Sequence, residues 1–459
     1  MRRTRLPRLG LVFACAVVLT VASGAAQPAR VPVVLLSIDG LVPGYVLDAD
    51  RHGVRVPNLR KMVADGASAD AVTGVTPTVT YPSHTTLVTG VSPSTHGILN
   101  NRPMDPLGTN AGGWYWYAED IRVPTLWDAA GTAGLVTANV DWPVTVGARI
   151  RHNIPQYWRA PIPAPPGGAH DHKLLRALAT PGLLDEAERD LEAYPAGYRY
   201  ALADDAIRAR FVAWMVEQKR PDLMTAYFSS LDETQHDTAP FSAETFETLE
   251  GLDRLVGQVR GTAERVYGGR FVFAVVSDHG HITASRELHL NAALREAGFI
   301  DLDARGRVTA ARAYAWSAGG SMAVMLTAPA GRGASDARAR VSDLLRTLAA
   351  DPANGIARVV AGDDIAALAG FGCGLRRGPD AGHAGRGRRH RTCQLPRLPR
   401  AARTATCPPT PAWTRRSSSS VPAYARARRW GASTCADIAP NAGREAGRDI
   451  DGRRGRNLL

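Results

Sequence analysis

Residues 31–39 read VPVVLLSID, an apolar run that ends in an aspartate. The run lacks the alternation of polar and apolar residues that a half-exposed strand shows, so it predicts a strand buried on both faces, as in a parallel sheet. Two further runs have the same character, LMTAYF at residues 223–228 and FVFAVV at residues 271–276. These three runs decide the fold class.

Helical patterns separate and follow the three apolar runs, over residues 56–64, 203–218, 243–266 and 334–350. Strands that alternate with helices predict a doubly wound α/β fold, with a mostly parallel central sheet and helices on both faces. A proline-rich segment at 155–166 begins a stretch, up to about residue 200, that we interpret as an insertion or loop outside the core.

Five tryptophans lie around this stretch, and we expect them to pack in the core or in loops rather than to form a substrate platform. They are Trp114, Trp116, Trp127, Trp142 and Trp158.

Residues 1–26 have the order of an export signal: basic residues, an apolar stretch over 9–22, then small residues. This order predicts a cleaved secretory signal peptide. The apolar stretch is shorter than the ~20 residues of a membrane span, and no later segment is apolar enough to be one. We therefore expect a soluble periplasmic or secreted protein with no membrane span after cleavage.

The net charge of +12 comes from the tail and not from the body. Residues 371–459 hold 19 arginines, no lysine and 5 acidic residues, a net charge of +14, which leaves the rest of the chain near −2. The body therefore has no electrostatic reason to prefer polyanions, and we expect no nucleic-acid polymer as a partner. The body also contains no cysteine, so the fold does not rely on disulfides.

Each of the three apolar runs leads into carboxylate and imidazole side chains. Asp39 follows the first, Asp232 and His236 follow the second, and Asp278 and His279 follow the third. In an open parallel sheet, ligands bind outside the carboxyl ends of the strands, where residues far apart in sequence converge. Carboxylate and imidazole are the ligand set of zinc and similar divalent ions, so the sequence predicts a metal site there.

A threonine-rich turn, TPTVTYPSH at residues 76–84, precedes a helix-like segment at 85–90. A hydroxyl at the start of a helix feels the partial positive charge of exposed backbone N–H groups, which stabilises an alkoxide and binds phosphate oxygens. Thr80 is therefore a candidate nucleophile. The alternative is a turn of ordinary capping threonines.

The segment TVTYPSHTTLVTGVSPSTHGILNN at residues 78–101 is preceded by SIDG at 37–40 and followed by LDETQH at 231–236 and SDHGH at 277–281. Together these motifs resemble the type I phosphodiesterase/nucleotide pyrophosphatase family of the alkaline phosphatase superfamily, over residues 33–371. The resemblance implies an alkaline phosphatase-like sandwich that binds two divalent cations, which we expect to be Zn²⁺. The ligands that it implies for one cation are Asp39, Thr80, Asp278 and His279, and those for the other are Asp232 and His236.

The resemblance also implies a reaction, the hydrolysis of phosphodiester or nucleotide pyrophosphate bonds in a small substrate. Thr80 would attack the phosphorus in line and form a phosphothreonine that water later hydrolyses. Two alternatives stay open: a phosphate monoesterase of the same superfamily, and an inactive metal-binding pseudoenzyme. Nothing in the sequence indicates the oligomeric state.

The sequence departs from the family pattern at two places. Ser83 stands three residues after Thr80, where nucleotide pyrophosphatases usually carry Asn, and we expect its hydroxyl to bind the substrate phosphate. The family's late Gly-Thr-His-Gly-Tyr-like motif, which supplies a final histidine ligand, is absent. The nearest match is His383 in the Arg-rich tail.

We interpret the tail, residues 372–459, as a frameshifted translation or as a disordered basic extension. Residues 402–408, read one base earlier, permit Gly-Thr-His-Gly-Tyr-Leu-Pro, and the serines at 417–420 become apolar if their codons are TCN. Residues 436–440 look family-like as written, so we expect the frame to recover there. The catalytic domain is then expected over residues 30–371.

Overall fold

The computed structural model describes residues 30–163, 165–327 and 332–361, together with two short strands at 428–430 and 433–434. The expected signal peptide lies outside the described residues, and so does most of the Arg-rich tail. The frameshift interpretation therefore stays a prediction. Among the described residues, no helix combines the length and the apolar character that crossing a membrane requires.

Between Val33 and Glu296, one or two strands alternate with runs of one to three helices. The strands are β1 (Val33–Ile38), β2 (Ala67–Ala69), β3 (Val72–Thr73), β4 (Thr137–Val140), β5 (His152–Ile154), β6 (Leu223–Phe228), β7 (Val272–Val276), β8 (Ile300–Leu302), β9 (Val308–Ala311), β10 (Ala313–Ala318), β11 (Ser321–Leu326), β12 (Arg428–Trp430) and β13 (Ser433–Thr434). The helices are α1 (Gly44–Leu47), α2 (Ala49–His52), α3 (Pro57–Asp65), α4 (Thr80–Thr89), α5 (Pro93–His96), α6 (Leu126–Thr132), α7 (Ala169–Leu178), α8 (Leu183–Ala187), α9 (Leu202–Lys219), α10 (Ser230–Asp237), α11 (Ala243–Tyr267), α12 (Leu290–Glu296) and α13 (Arg332–Ala350).

A five-stranded sheet with the order β5-β4-β6-β1-β7 forms the centre of the protein, and all its strand pairs are parallel. β1 lies between β6 and β7, with Ser37 opposite Tyr227 on one side and Val276 on the other. Every residue of β1 and β6 is buried, which explains why their sequences show no polar alternation. The predicted parallel sheet is confirmed, and the three predicted strands match β1, β6 and β7 to within two residues.

Helices cover both faces of this sheet. Val34 and Leu36 of β1 pack on one face with α9 and α11, whereas Leu35 packs on the other face with α4 and α6. Because alternate residues of a strand point to opposite faces, an entirely apolar β1 requires a covering layer on each side. The four helical patterns predicted from the sequence correspond to α3, α9, α11 and α13, to within two residues at each end.

Smaller sheets lie beside the main one. Two antiparallel hairpins, β8–β9 and β10–β11, pack with α12 and α13 around a separate apolar cluster. Two short segments of the tail return to the body, where β12 pairs in parallel with β2 and β13 with β3.

Part of the region from residue 150 to residue 200 belongs to the core. β5 is the outer strand of the main sheet, and Leu175 of α7 and Leu183 of α8 lie in the same apolar cluster as β1. The expectation that residues 155–200 lie outside the core is therefore wrong for α7 and α8, because their leucines pack in the same apolar cluster as β1. Whether the region is an insertion stays a prediction.

Four of the five tryptophans around this region are packed in the interior, as expected. Trp116, Trp127, Trp142 and Trp158 are each at most 6% exposed.

The packing of β1 leads to a prediction for stability. Leu36→Ala removes a fully buried side chain at the centre of the sheet, so the free energy of unfolding should fall by about 2–5 kcal/mol. Urea denaturation measures this loss. The control Leu107→Ala changes a leucine that is 51% exposed and should stay within about 0.5 kcal/mol of wild type. Equal losses in the two variants would contradict the core assignment.

A buried histidine joins α5 to α4. The backbone N–H of Ile98 donates to Nδ1 of His96 at 3.1 Å, and Nε2 of His96 lies 3.0 Å from Oγ1 of Thr86. Burial lowers the pKa of His96 from 6.5 to about 3. The folded protein therefore keeps this ring neutral at pH values where the unfolded chain protonates it.

This histidine should make the folded state less stable in acid. Because the folded pKa lies below the unfolded one, the stability is present above pH 6.5 and is lost as the pH falls towards 3. Between pH 6.5 and pH 4.5 the loss through His96 should be about 2 kcal/mol. Measured by urea denaturation, the fall in the free energy of unfolding between these two pH values should be about 2 kcal/mol smaller in His96→Gln than in wild type. The control is His170→Gln, because His170 is exposed. A fall in His96→Gln as large as that in wild type would refute the prediction.

Candidate active site

The carboxyl ends of β6, β1 and β7 lie side by side and bring together residues that are far apart in the sequence. Asp39 follows β1 directly, Asp278 follows β7 after one residue, and α10, which carries Asp232, follows β6 after one residue. Parallel strands all end at the same edge of a sheet, so their connecting loops meet there. The structure places all six predicted ligand residues at this edge.

Asp39, Asp278 and His279 form a first group of potential metal ligands, whose donor atoms lie within 4.8 Å of one another. The Nε2 atom of His279 lies 3.3 Å from Oδ1 of Asp39 and 3.3 Å from Oδ2 of Asp278. Both aspartates are buried, and these two oxygens accept no hydrogen bond from the described residues. Buried carboxylate oxygens are normally hydrogen-bonded, whereas these two have only imidazole nitrogens at 3.3–3.5 Å, so a cation would complete their surroundings.

The pKa shifts of the two aspartates also indicate that this group needs positive charge nearby. Burial raises the pKa of Asp39 well above its usual range, and the nearby charges of Asp232 and Asp278 raise it further. The pKa of Asp278 is raised to about 7, again by burial first and then by Asp232. The site therefore disfavours its own negative charges unless a cation compensates them.

Asp232, His236 and His281 form a second group, whose donor atoms again lie within 4.8 Å of one another. Asp232 and His236 are four residues apart on α10, and one helical turn brings Nε2 of His236 to 3.6 Å from Oδ2 of Asp232. Nε2 of His281 lies 2.6 Å from the other oxygen, Oδ1. His279 connects the two groups, because its Nε2 lies 4.0 Å from Oδ1 of Asp232.

The carboxylate of Asp232 stays ionised more readily than those of Asp39 and Asp278. Burial would raise the pKa of Asp232, but the hydrogen bond to His281 and the charges of His279 and His236 outweigh this effect and lower the pKa. The second group is therefore better compensated by its own histidines than the first.

Thr80 is the first residue of α4 and stands next to the first group. Its Oγ1 lies 3.4 Å from Nε2 of His279. The residue before it, Val79, has an extended backbone, so the helix and its positive end begin at Thr80, five residues earlier than the helix-like segment 85–90 predicted from the sequence. A glycine with a left-handed backbone, Gly90, ends the helix.

His84 holds the start of α4 against β1. Its Nδ1 lies 2.8 Å from the carbonyl oxygen of Thr80, and its Nε2 lies 2.9 Å from Oγ of Ser37. Burial lowers the pKa of His84 to about 3, so the ring is neutral at physiological pH. A neutral imidazole can bridge these two oxygens without adding charge beside Asp278.

Tyr227 and the backbone after β1 orient the two buried aspartates. The hydroxyl of Tyr227 donates to Oδ2 of Asp39 at 2.5 Å, and the backbone N–H of Gly40 donates to Oδ1 of Asp278 at 3.3 Å. Each carboxylate thus has one oxygen held by the protein, while the other faces the first group of donors.

An open cleft lies beside Thr80, and Asn101 lines this cleft whereas Ser83 is buried. Ser83, the expected substrate-binding residue, is fully buried within α4, and its hydroxyl makes no hydrogen bond to the described residues. Asn101 does line the cleft, and its Oδ1 accepts from the backbone N–H of Tyr81 at 2.8 Å, which leaves its NH₂ group as a donor. A role for Ser83 in substrate binding stays a prediction, and the geometry favours Asn101.

Sequence reasoning missed His281 and Asn101 as site residues. His281 could have been found, because it follows His279 after a single glycine in SDHGH. Asn101 carries no such signal, since it lies 21 residues after Thr80 in a loop whose path only the fold determines.

Comparison with known proteins identifies the family. A model of the family described as type I phosphodiesterase / nucleotide pyrophosphatase matches residues 33–367, more than half of the chain. Venom phosphodiesterase 2 of Crotalus adamanteus is 26% identical over 272 residues, which cover 56% of this chain and 28% of the relative. Human ectonucleotide pyrophosphatase/phosphodiesterase family member 7 is 28% identical over 291 residues, which cover 61% of this chain and 55% of the relative.

The chain therefore spans just over a quarter of the venom relative and just over half of the human one. Among solved structures, murine ectonucleotide pyrophosphatase / phosphodiesterase 5 matches with a TM-score of 0.45 and 20% identity, over 68% of this chain and 69% of that chain.

The hydrogen bond from Tyr227 leads to a prediction for cation binding. Tyr227→Phe removes the hydroxyl that orients Asp39, so the affinity for a divalent cation should fall by about 10–100-fold. Competition with a chelator of known affinity measures the change. In the control Tyr267→Phe, the lost hydroxyl donates to the carbonyl of Pro221, at the opposite end of β6. Equal affinities in wild type and Tyr227→Phe would show that this bond does not orient a ligand.

Proposed function

Because the chain belongs to the type I phosphodiesterase/nucleotide pyrophosphatase family, we propose that it hydrolyses phosphodiester or nucleotide pyrophosphate bonds through Thr80 and two divalent cations. The observation that carries the proposal is the position of Thr80: its hydroxyl stands at the start of α4, 3.4 Å from His279, beside two adjoining groups of metal donors. The family's members that match are named phosphodiesterases and nucleotide pyrophosphatases, which are hydrolases.

The residues present fit two divalent cations. Asp39, Asp278 and His279, with Thr80, would hold one, and Asp232 and His236 would hold the other. Mixed oxygen and nitrogen donors suit Zn²⁺, which is the ion that we expect. The unsatisfied oxygens of Asp39 and Asp278 support this assignment, because a cation would satisfy both.

We propose that Thr80 acts as the nucleophile. Its hydroxyl loses its proton and Oγ1 forms a bond to the phosphorus while the bond to the leaving oxygen breaks. The leaving oxygen takes up a proton from solvent, and water then cleaves the phosphothreonine, which releases the phosphate monoester and regenerates Thr80. The cations, when bound, lower the pKa of the attacking hydroxyl and stabilise charge on the phosphoryl and leaving oxygens. His84 keeps Thr80 in place through the Thr80 carbonyl, and Asn101 offers an NH₂ donor for a non-bridging phosphate oxygen.

The substrate is expected to be a small diester or nucleotide. The net charge of the body, near −2, gives no electrostatic reason to prefer a nucleic-acid polymer. The names of the matching relatives, venom phosphodiesterase and ectonucleotide pyrophosphatase, support export of this chain as well, in agreement with the expected signal peptide.

Two variants and a chelator test the proposal. Thr80→Ala should lower the hydrolysis of a chromogenic phosphodiester by about 10³-fold or more, because it removes the attacking oxygen. Thr80→Ser keeps a hydroxyl and should retain part of the activity. Dialysis against a chelator should abolish hydrolysis, and added Zn²⁺ should restore it.

The control is Thr132→Ala, which removes a threonine hydroxyl that donates to the Asp128 carbonyl at the end of α6 and should leave the rate unchanged. A rate that survives both Thr80→Ala and the chelator would exclude the proposed mechanism. Faster hydrolysis of the matching monoester than of the diester would favour the phosphate monoesterase instead.

A further inference from the structure

We propose that His281 is a protein ligand of the second cation, with Asp232 and His236, and that it supplies the imidazole that the family resemblance places in a late motif. The inference rests on the proposed function and deepens it, because it names how this chain completes a site whose last expected ligand is absent from its sequence.

The three side chains are close enough to share one ion, because their donor atoms all lie within 4.8 Å of one another. The Nε2 atom of His281 lies 2.6 Å from Oδ1 of Asp232, and Nε2 of His236 lies 3.6 Å from Oδ2 of the same carboxylate. The two imidazole rings are 4.8 Å apart and nearly perpendicular, at 89°. Two nitrogens and one oxygen, with a fourth position open, form the ligand set of a catalytic zinc site.

The His279-Gly280-His281 turn divides its two histidines between the two groups. The ring of His279 contacts Asp39 and Asp278, while the ring of His281 contacts Asp232. The rings of His279 and His281 stay 5.4 Å apart. One short turn after β7 thus offers an imidazole to each group.

Because Gly40 and Gly280 have no side chains, there is room for the His281 ring and for the turn that carries it. A Cβ on Gly40 would lie 3.1 Å and 3.2 Å from two ring atoms of His281 and 2.7 Å from the Gln235 side chain. A Cβ on Gly280 would lie 2.2 Å from the Val42 side chain. Gly40 also has a φ of +71°, a conformation that other residues rarely adopt. A side chain at either glycine would therefore collide with the His281 ring or with the residues that flank its turn.

A simple ion pair between His281 and Asp232 is the competing explanation. An ion pair needs one histidine, whereas here two histidines approach the two oxygens of one carboxylate from different elements, α10 and the loop after β7. The side chain of His281 is only 13% exposed and lies within the cleft beside Thr80. This arrangement is expected for ligands that surround a common cation.

The test measures metal content and affinity in the full-length chain. The protein is stripped with a chelator, titrated with Zn²⁺ and analysed for bound metal, and the same titration with Co²⁺ is followed by its visible absorption. The variants are His281→Gln, His383→Gln for the histidine in the tail, and His289→Gln as the control, since His289 is exposed and belongs to neither donor group.

We expect two Zn²⁺ per chain in wild type, in His289→Gln and in His383→Gln. His281→Gln should keep one ion and bind the second about 100-fold or more weakly, with a changed Co²⁺ spectrum. His281→Cys, which restores a zinc donor at this position, should recover much of that affinity. This recovery separates a lost ligand from a misfolded variant.

Two results would overturn the inference: unchanged binding of both ions by His281→Gln, or loss of the second ion in His383→Gln in place of His281→Gln. A third result, wild type that binds no metal at all, would refute the proposed function and the inference with it. Loss of both ions in His281→Gln without recovery in His281→Cys would also count against a ligand role.

Discussion

Mutual repulsion among three carboxylates is the constraint on which this site depends. Asp39 and Asp278 are buried, and Asp232 lies next to them at the ends of adjacent strands. Two like charges about 4 Å apart near a protein surface repel by ~4 kcal/mol, and burial adds a desolvation cost. The protein offsets this with three imidazoles, but two carboxylate oxygens remain unsatisfied among the described residues. Divalent cations at this position would remove the conflict and explain why the fold tolerates it.

The framework around the site is built to hold these charges in place. Asp205 accepts hydrogen bonds from the backbone N–H groups of Ser229 and Ser230 at 3.0 Å and 2.8 Å, where α10 begins. The buried Arg208 in turn pairs with Asp205 and with Asp141, each at 2.8 Å. A buried, paired network of this kind fixes the start of α10, and with it the position of Asp232. The position of Asp232 therefore depends on α9 and on Asp141 as well as on α10 itself.

Much of this architecture could be predicted because it rests on local signals. The apolar runs of β1, β6 and β7 have no polar alternation, and the longer helices have clear periodicity, so their bounds were predicted to within two residues. The loop after β7 was harder: His281 follows His279 closely in SDHGH, but the sequence does not show that its ring reaches Asp232 on α10. The short strand β5 was missed for a similar reason: three residues carry too little periodicity to separate a core strand from a loop.

By itself, the sequence determined the fold class and the strand ends that carry aspartate and histidine, since these follow from residue order and hydrophobic pattern. Only the tertiary structure decided that Ser83 is buried while Asn101 faces the cleft, and that His281 joins Asp232 and His236. The physical reason is that a helix or strand takes its direction from local hydrogen bonds and periodicity. The direction of a loop side chain depends instead on the surfaces against which it packs, and these are formed by residues far away in the sequence.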